Sequence, residues 1–320
     1  MITMLHNASN LQRDIAKTLL YFGIFRHPLR LTEIHRFLPS DSVTIEDIQY
    51  ACSTEPLSKH VVEANGLVSL DHEPLDFSAE RRQKEQRARY MWFVAVLMSQ
   101  IIRRFPYVRA VFVSGELSKG VASKNSDIDF FVVTAPNRVW ITRTLFTLFK
   151  RIVLFNSKRM FCYNHITSEQ NLRIENRTMY TAVEIATLKP IYNLALYREF
   201  MVANSWVKDY LPNSFSIEES PSRRESPKFL TERILDHFLS AHNLNKIDQW
   251  LLGRWRSLWF RRYHYLAPEK REKLFRCEAD LSTAYVNDFL PRITQAYARR
   301  LHQFGLITID VVEHEFSPEV

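Results

Sequence analysis

Val111-Phe-Val-Ser-Gly-Glu-Leu-Ser-Lys-Gly120, followed by Ser126-Asp-Ile-Asp-Phe-Phe-Val-Val133, is the stretch that decides the fold. Two short runs, Val108 to Val113 and Ile128 to Thr134, are rich in β-branched and aromatic residues and predict strands. The polar loop between them, Ser114 to Ser126, carries Gly115 and Gly120. The chain has six glycines in 320 residues, so two this close mark a backbone that needs them. Residues two apart in a strand share a face. Asp127 and Asp129 therefore project together, while Ile128 and Phe130 point into the opposite layer. Adjacent carboxylates repel, and each costs free energy to desolvate. A cation offsets that repulsion. Carboxylate oxygens with coordination positions left open suit Mg2+, which keeps waters and takes phosphate oxygens. A glycine turn between strand and helix presents backbone N–H groups to phosphate. The expected site is thus one for a nucleoside triphosphate. Asp127 and Asp129 are its metal ligands, and Ser114, Gly115, Ser118, Gly120 and Ser126 lie on its phosphate side.

Outward from this core, Pro136-Asn137 ends the second strand. Arg138 to Phe155 is apolar on most faces and predicts a buried helix, and Met160 to Ile166 predicts a third strand. Upstream, Glu80 to Arg104 reads as one long helix with a charged first half and an apolar second half. Downstream, Thr178 to about Val207 reads as helical. These segments make up an α/β core over residues 79–212. Before it, residues 1–78 read as helices followed by a hairpin. Helical periodicity starts at Ile15, and His27-Pro28 interrupts it. Thr32 is expected to cap Glu33 to Phe37, and Thr44 to cap Ile45 to Ser53. Asn65-Gly66 between apolar runs is the turn of a hairpin. Three short helices and a hairpin are the order of a winged helix-turn-helix. After the core, residues 213–320 are expected to form a helical domain. It opens with a polar, proline-bearing linker, Ser214 to Lys228, and has breaks near Pro268 and Pro291. Thr308 to Val320 is expected to be a frayed or edge segment.

The composition narrows the classes. An apolar fraction of 46% and a charged fraction of 24% are those of a globular protein. The net charge of +8 favours polyanionic partners such as nucleotides, nucleic acid or anionic lipid. Cys52, Cys162 and Cys277 lie far apart, without zinc spacing, which predicts reduced thiols in a cytoplasmic protein. The longest apolar stretch, Tyr90 to Ile102, is too short to span a bilayer. No transmembrane segment is expected.

The strand, the glycine loop and the Ser126-Asp-Ile-Asp129 run resemble the DNA polymerase beta-like nucleotidyltransferase superfamily. The whole order, with its winged-helix-like start and helical end, also resembles bacterial nucleotidyltransferase-domain proteins. The resemblance puts Gly115 in the place of the family's glycine, and Asp127 and Asp129 in those of its metal ligands. It implies Mg2+-dependent transfer of a nucleoside monophosphate from a triphosphate to an acceptor hydroxyl, with two metals clamping the attacking and leaving oxygens. The sequence does not disclose the acceptor.

Two residues depart from the family pattern. Glu116 stands where the family has a serine that faces the triphosphate, and a carboxylate there would repel phosphate. The third strand, Met160 to Ile166, has no carboxylate. Asn164 stands where one is expected, His165 is the alternative proton acceptor, and Glu169 just past the strand is the chosen substitute. These departures keep a second reading open, a catalytically degenerate module that binds nucleotide or a protein or nucleic-acid partner. A DNA-binding role for the N-terminus is a third, but its candidate recognition helix, Ile45 to Cys52, is acidic to neutral. Arg138, Arg143, Lys150 and Arg151 either line a phosphate channel or charge the surface of a buried helix. The run Trp250 to Tyr263 mixes aromatics with arginines. It suits base stacking, a membrane surface, or a core helix with its arginines turned outward.

Overall fold

The computed structural model describes residues 5, 7–70, 77–157, 159–214, 230, 234, 241–285 and 289–307. The expected linker, apart from Ser214, and the expected C-terminal edge segment lie outside them, except Ser214, which closes a 3-10 turn, Pro212–Ser214. The described residues form a mixed α/β protein with eleven α-helices and a mixed six-stranded sheet.

The chain begins with α1 (Asn10–Gly23). A reciprocal cap starts it: the Ser9 hydroxyl accepts from the Gln12 N–H, and the Gln12 side chain accepts from the Ser9 N–H. α2 (Leu31–Phe37) starts one residue before Thr32, because the Glu33 carboxylate accepts from the Arg30 N–H. Thr44 caps α3 (Ile45–Ser53) as its sequence predicts. Strands β1 (Val61–Ala64) and β2 (Leu67–Leu70) form the expected antiparallel hairpin. Asn65 and Gly66 close it, both with positive φ, the conformation this two-residue turn requires.

The long helix α4 (Phe77–Ile102) leads into β3 (Val108–Ser114), the one-turn helix α5 (Gly115–Ser118) and β4 (Asp129–Thr134). α6 (Val139–Ile152) then crosses to β5 (Cys162–Ser168), which runs parallel to β4. Residues 178–207 are not one helical stretch. α7 (Met179–Thr187) and α8 (Leu194–Ala203) flank a strand, β6 (Lys189–Tyr192), that pairs with β3. Pro190 hides this strand from a sequence reading, yet proline is tolerated at a sheet edge, where β6 lies.

The C-terminal part is not all helical either. α9 (Ala241–Arg262) and α10 (Pro268–Leu274) are followed by two very short strands, β7 (Cys277–Glu278) and β8 (Leu281–Thr283). β8 pairs antiparallel with β5, so the sheet order is β6-β3-β4-β5-β8-β7. α11 (Phe289–Gln303) takes Pro291 into its first turn, where a missing N–H costs nothing.

The sheet divides two apolar layers by strand alternation. Val111, Val113, Ile128, Phe130 and Val132 pack with α4, α6 and the α9 residue Trp259. Phe112, Phe131 and Val133 face the other way, into one cluster with α7, α8, α11 and the N-terminal helices. That cluster runs unbroken from Leu20 and Phe22 to Phe131 and Val183, so the expected boundary at residue 78 does not divide the core. No helix among the described residues is long and apolar enough to cross a membrane.

Candidate functional site

Asp129 is the first residue of β4, with Ser114 of β3 on one side and Cys162 of β5 on the other. Strand alternation sends Ile128 and Phe130 into the α4/α6 layer. Asp129 therefore faces the α7 side, and Asp127, two residues earlier, raises its pKa through space. Burial is the larger cause. It pushes the Asp129 carboxyl up to about 6, a hydrogen bond from the Cys162 thiol pulls the other way, and the charges of Asp127 and Glu184 push up again. Lys119 opposes them. The Cys162 thiol is itself pushed up to about 12 by burial and by Asp129, so it stays a protonated donor.

Gly115 gives this carboxylate its space. It has φ of +70°, and a Cβ built on it would stand 2.6 Å from the Asp129 Oδ2. Both the backbone conformation and the close approach require glycine here. The loop glycine is thus coupled directly to the metal-ligand candidate. The other loop glycine, Gly120, has φ of +75° but open space where a Cβ would be, so only its conformation matters. It terminates α5, with its N–H donating to the Leu117 carbonyl.

Glu116 is held by the loop that leads to the aspartates. Its carboxylate accepts from the Ser123 N–H at 2.8 Å, the Ser123 hydroxyl at 2.9 Å and the Ser126 hydroxyl. Burial works against its ionisation, but these hydrogen bonds and the nearby Lys84 prevail, and its pKa lies below the ordinary value. Glu116 is therefore the brace of the 123–126 loop.

Several expected site residues occupy other roles. Ser118 is buried, and its hydroxyl donates to the Gly115 carbonyl at 2.8 Å, so it is withdrawn from the phosphate side. The Ser126 hydroxyl serves Glu116. The Ser114 hydroxyl lies 3.4 Å from the Asp129 carbonyl, a loose contact at the mouth of the site. Glu169 is corrected outright. Its N–H donates to the Thr134 carbonyl, at the far end of the β4–β5 pair. Five residues of strand separate that end from Asp129, roughly 17 Å at the rise of a β-strand. Glu169 cannot be the third carboxylate. His165 stacks on Phe131 at 4.2 Å, and burial lowers its pKa to about 3, so it is a neutral packing residue. Arg143 is buried in the opposite layer, between the rings of Tyr163 and Trp259, and cannot line a channel to Asp129. In the run from Trp250, Trp259 is buried as a core helix requires, but Trp250 is exposed.

Sequence reasoning passed over Lys119, and it placed Glu184, like Glu175, behind Glu169 as a more remote candidate for the third carboxylate. The Lys119 ammonium reaches the Gly115 carbonyl at 3.2 Å and the Glu184 carboxylate at 2.7 Å. Lys119 was legible, since four residues after Gly115 on a helical turn returns over it. Glu184 was not, because only the packing of α7 over the sheet brings it here. It pairs with a lysine, and among the described residues no three His, Cys, Asp or Glu side chains gather as a metal-holding group.

What the geometry defines is a mixed α/β protein with an aspartate pair at the start of a central strand, behind a glycine turn. No protein-family model, curated protein or solved structure matches the chain.

Proposed function

We propose that this chain is a nucleotidyltransferase of the DNA polymerase beta-like type, binding a nucleoside triphosphate with Mg2+ at Asp127 and Asp129. The observation that carries the reading is the fit of Gly115 against Asp129, in a strand–turn–strand that also bears Asp127 two residues earlier. The donor set fits the ion: two carboxylates with hard oxygens, one of them with its pKa held at about 6 by burial and by its acidic neighbours, whose repulsion a cation would relieve. Bound there, Mg2+ would supply charge neutralisation to phosphate oxygens. The protein's own groups hold the carboxylates apart from the apolar layer, keep the Glu116 charge turned into the loop, and place the Lys119 ammonium beside the turn. The same reading takes residues 1–78 as a winged-helix-like module, on its helix–helix–helix–hairpin order. Exposed Glu46 and Asp47 on α3 favour a protein contact over duplex binding there.

The test is calorimetry of each nucleoside triphosphate with Mg2+, on wild type and Asp127→Asn. Binding that needs Mg2+ and disappears in the variant supports the site, and no binding to wild type at millimolar nucleotide overturns it. A second reading, nucleotide binding without transfer, has its own observation: β5 brings Cys162, and no carboxylate, beside Asp129. Pyrophosphate release by wild type, lost in the Asp127→Ala/Asp129→Ala variant, would decide for transfer.

A further inference from the structure

Far from the aspartates, the outer faces of α4 and α6 expose large apolar side chains. Tyr90, Phe93, Leu97 and Ile101 recur at helical spacing along α4, with Phe93 62% exposed. Leu148 and Ile152 continue the surface on α6. Just beyond α6, Phe155 is 90% exposed in a left-handed backbone conformation, with φ of +46°. A bulky residue held there costs free energy, and a ring this exposed gains little packing to offset it. The two helices meet at an apolar cavity of about 610 Å³, lined by residues that include Ile101, Phe105, Leu145 and Phe149. Among the described residues that line it, which also include Ile234, Arg104 is the one that carries a charge.

The charge of this region is one-sided. From Gln86 to Asn125 the only acid is Glu116, which braces its own loop, and from Phe130 to Ser168 there is none. Exposed basic residues stand in the same stretches, among them Arg89, Arg104 and Arg151. A contiguous apolar patch rimmed by cations marks an interaction surface. A second copy of the chain is a poor occupant, because a two-fold interface would set these cations against one another. Nucleic acid fits less well: Tyr90, Phe93 and Phe155 offer rings for stacking, but Leu97, Ile101, Leu148 and Ile152, which make up the rest of the face, offer neither stacking nor hydrogen bonds.

We propose that the outer face of α4 and α6, with the Phe155 tip, is a peripheral membrane-docking surface for anionic phospholipid. Apolar side chains enter the headgroup boundary, the surrounding arginines and lysines meet lipid phosphates, and the cavity accepts part of an acyl chain. The helices lie on the bilayer and do not cross it.

Flotation of the full chain with vesicles tests this, comparing phosphatidylcholine alone with phosphatidylcholine mixed with phosphatidylglycerol. Binding is expected only to the mixed vesicles, and to weaken with added salt. Phe155→Ser should lower the partition coefficient about tenfold. Arg151→Glu should lower it about fivefold or more. Both side chains are exposed, so the variants keep the fold, which circular dichroism verifies. Absence of binding to mixed vesicles overturns the proposal, as does equal binding to both vesicle types. Self-association of wild type that Phe155→Ser abolishes, without vesicle binding, assigns the face to a second copy and overturns it as well.

Discussion

Two aspartates in this protein share a raised pKa in very different company. Burial pushes both Asp129 and Asp248 up to about 6. Asp248, on α9, is satisfied. It accepts from the Trp140 N–H at 2.9 Å and the Ile141 N–H at 2.8 Å, with Arg138 nearby, and so caps α6 where Arg138 gives no side-chain cap. Asp129 sits among other acids, Asp127 and Glu184, with the Cys162 thiol as its one resolved donor. A raised pKa alone therefore separates nothing. The company of the group separates a structural acid from one that awaits a ligand.

The largest expected effect splits the pair by function. Asp129→Asn should abolish Mg2+-dependent nucleotide binding, a loss above the 10- to 100-fold typical of a residue that only supports a ligand. Its thermal stability without metal should hold or rise, since a repelled carboxylate is gone. Asp248→Ala should do the reverse, leaving nucleotide affinity within about threefold while costing about 2 kcal/mol through two uncapped N–H groups. Paired calorimetry and thermal melting read both. Equal nucleotide affinity in wild type and Asp129→Asn would break the comparison.

The next effect is on pH. Each carboxyl has a folded pKa of about 6 against an ordinary value of 3.8. The native state therefore holds the proton more tightly than the unfolded chain. The stabilisation is complete below about pH 4 and is lost as pH rises toward about 6. Each group contributes on the order of 2 kcal/mol to that fall, after allowance for partial solvation. Denaturant titrations between these limits should show a shallower fall in Asp129→Asn and in Asp248→Asn. Mg2+ at pH 7 should raise the melting temperature of wild type and Asp248→Asn, and leave Asp129→Asn unmoved.

Gly115→Ala comes third. A methyl group 2.6 Å from the Asp129 Oδ2, on a backbone with φ of +70°, should cost about 2 kcal/mol and weaken nucleotide binding. Gly120→Ala meets open space and should cost about 1 kcal/mol with affinity unchanged. A difference in melting temperature without a difference in affinity between the two would detach Gly115 from the site.

What the sequence disclosed follows the range of the interactions involved. Asp127, Asp129 and Gly115 are local features: alternation places the first two, and a positive φ after a strand demands the third. The α3 cap at Thr44 and the Asn65-Gly66 turn were legible for the same reason. β8, three residues long, is a strand only because β5 lies beside it, and no local pattern of Leu281-Ser-Thr283 announces that. Glu184 reaches Lys119 across 65 residues through the packing of α7, so its place depended on the assembled sheet. Glu169 failed because nearness in sequence to β5 was mistaken for nearness to Asp129. In a parallel pair, residues just past the end of β5 lie beside the end of β4, whereas the aspartates stand at its start.

Glu116 gives the smallest and sharpest test. A carboxylate in the glycine turn would repel phosphate if it pointed at the ligand. Here it is held by Ser123 and Ser126 instead. Glu116→Gln keeps an acceptor for the Ser123 N–H but loses the charge on a half-open loop, at a cost of about 0.5–1 kcal/mol. Its pKa is lowered in the folded state, so its contribution is present above the ordinary carboxylate value and lost as pH falls through the folded one. The variant should therefore equal wild type in stability in acid and fall below it near neutrality. Nucleotide affinity should change by less than about threefold, because a charge already turned into the loop has little repulsion to relieve. Tightening by tenfold or more would mean that the carboxylate swings to the phosphates in solution. The loop brace would then be a competitor of the ligand, and Asp129 would be no more open to phosphate than Asp248.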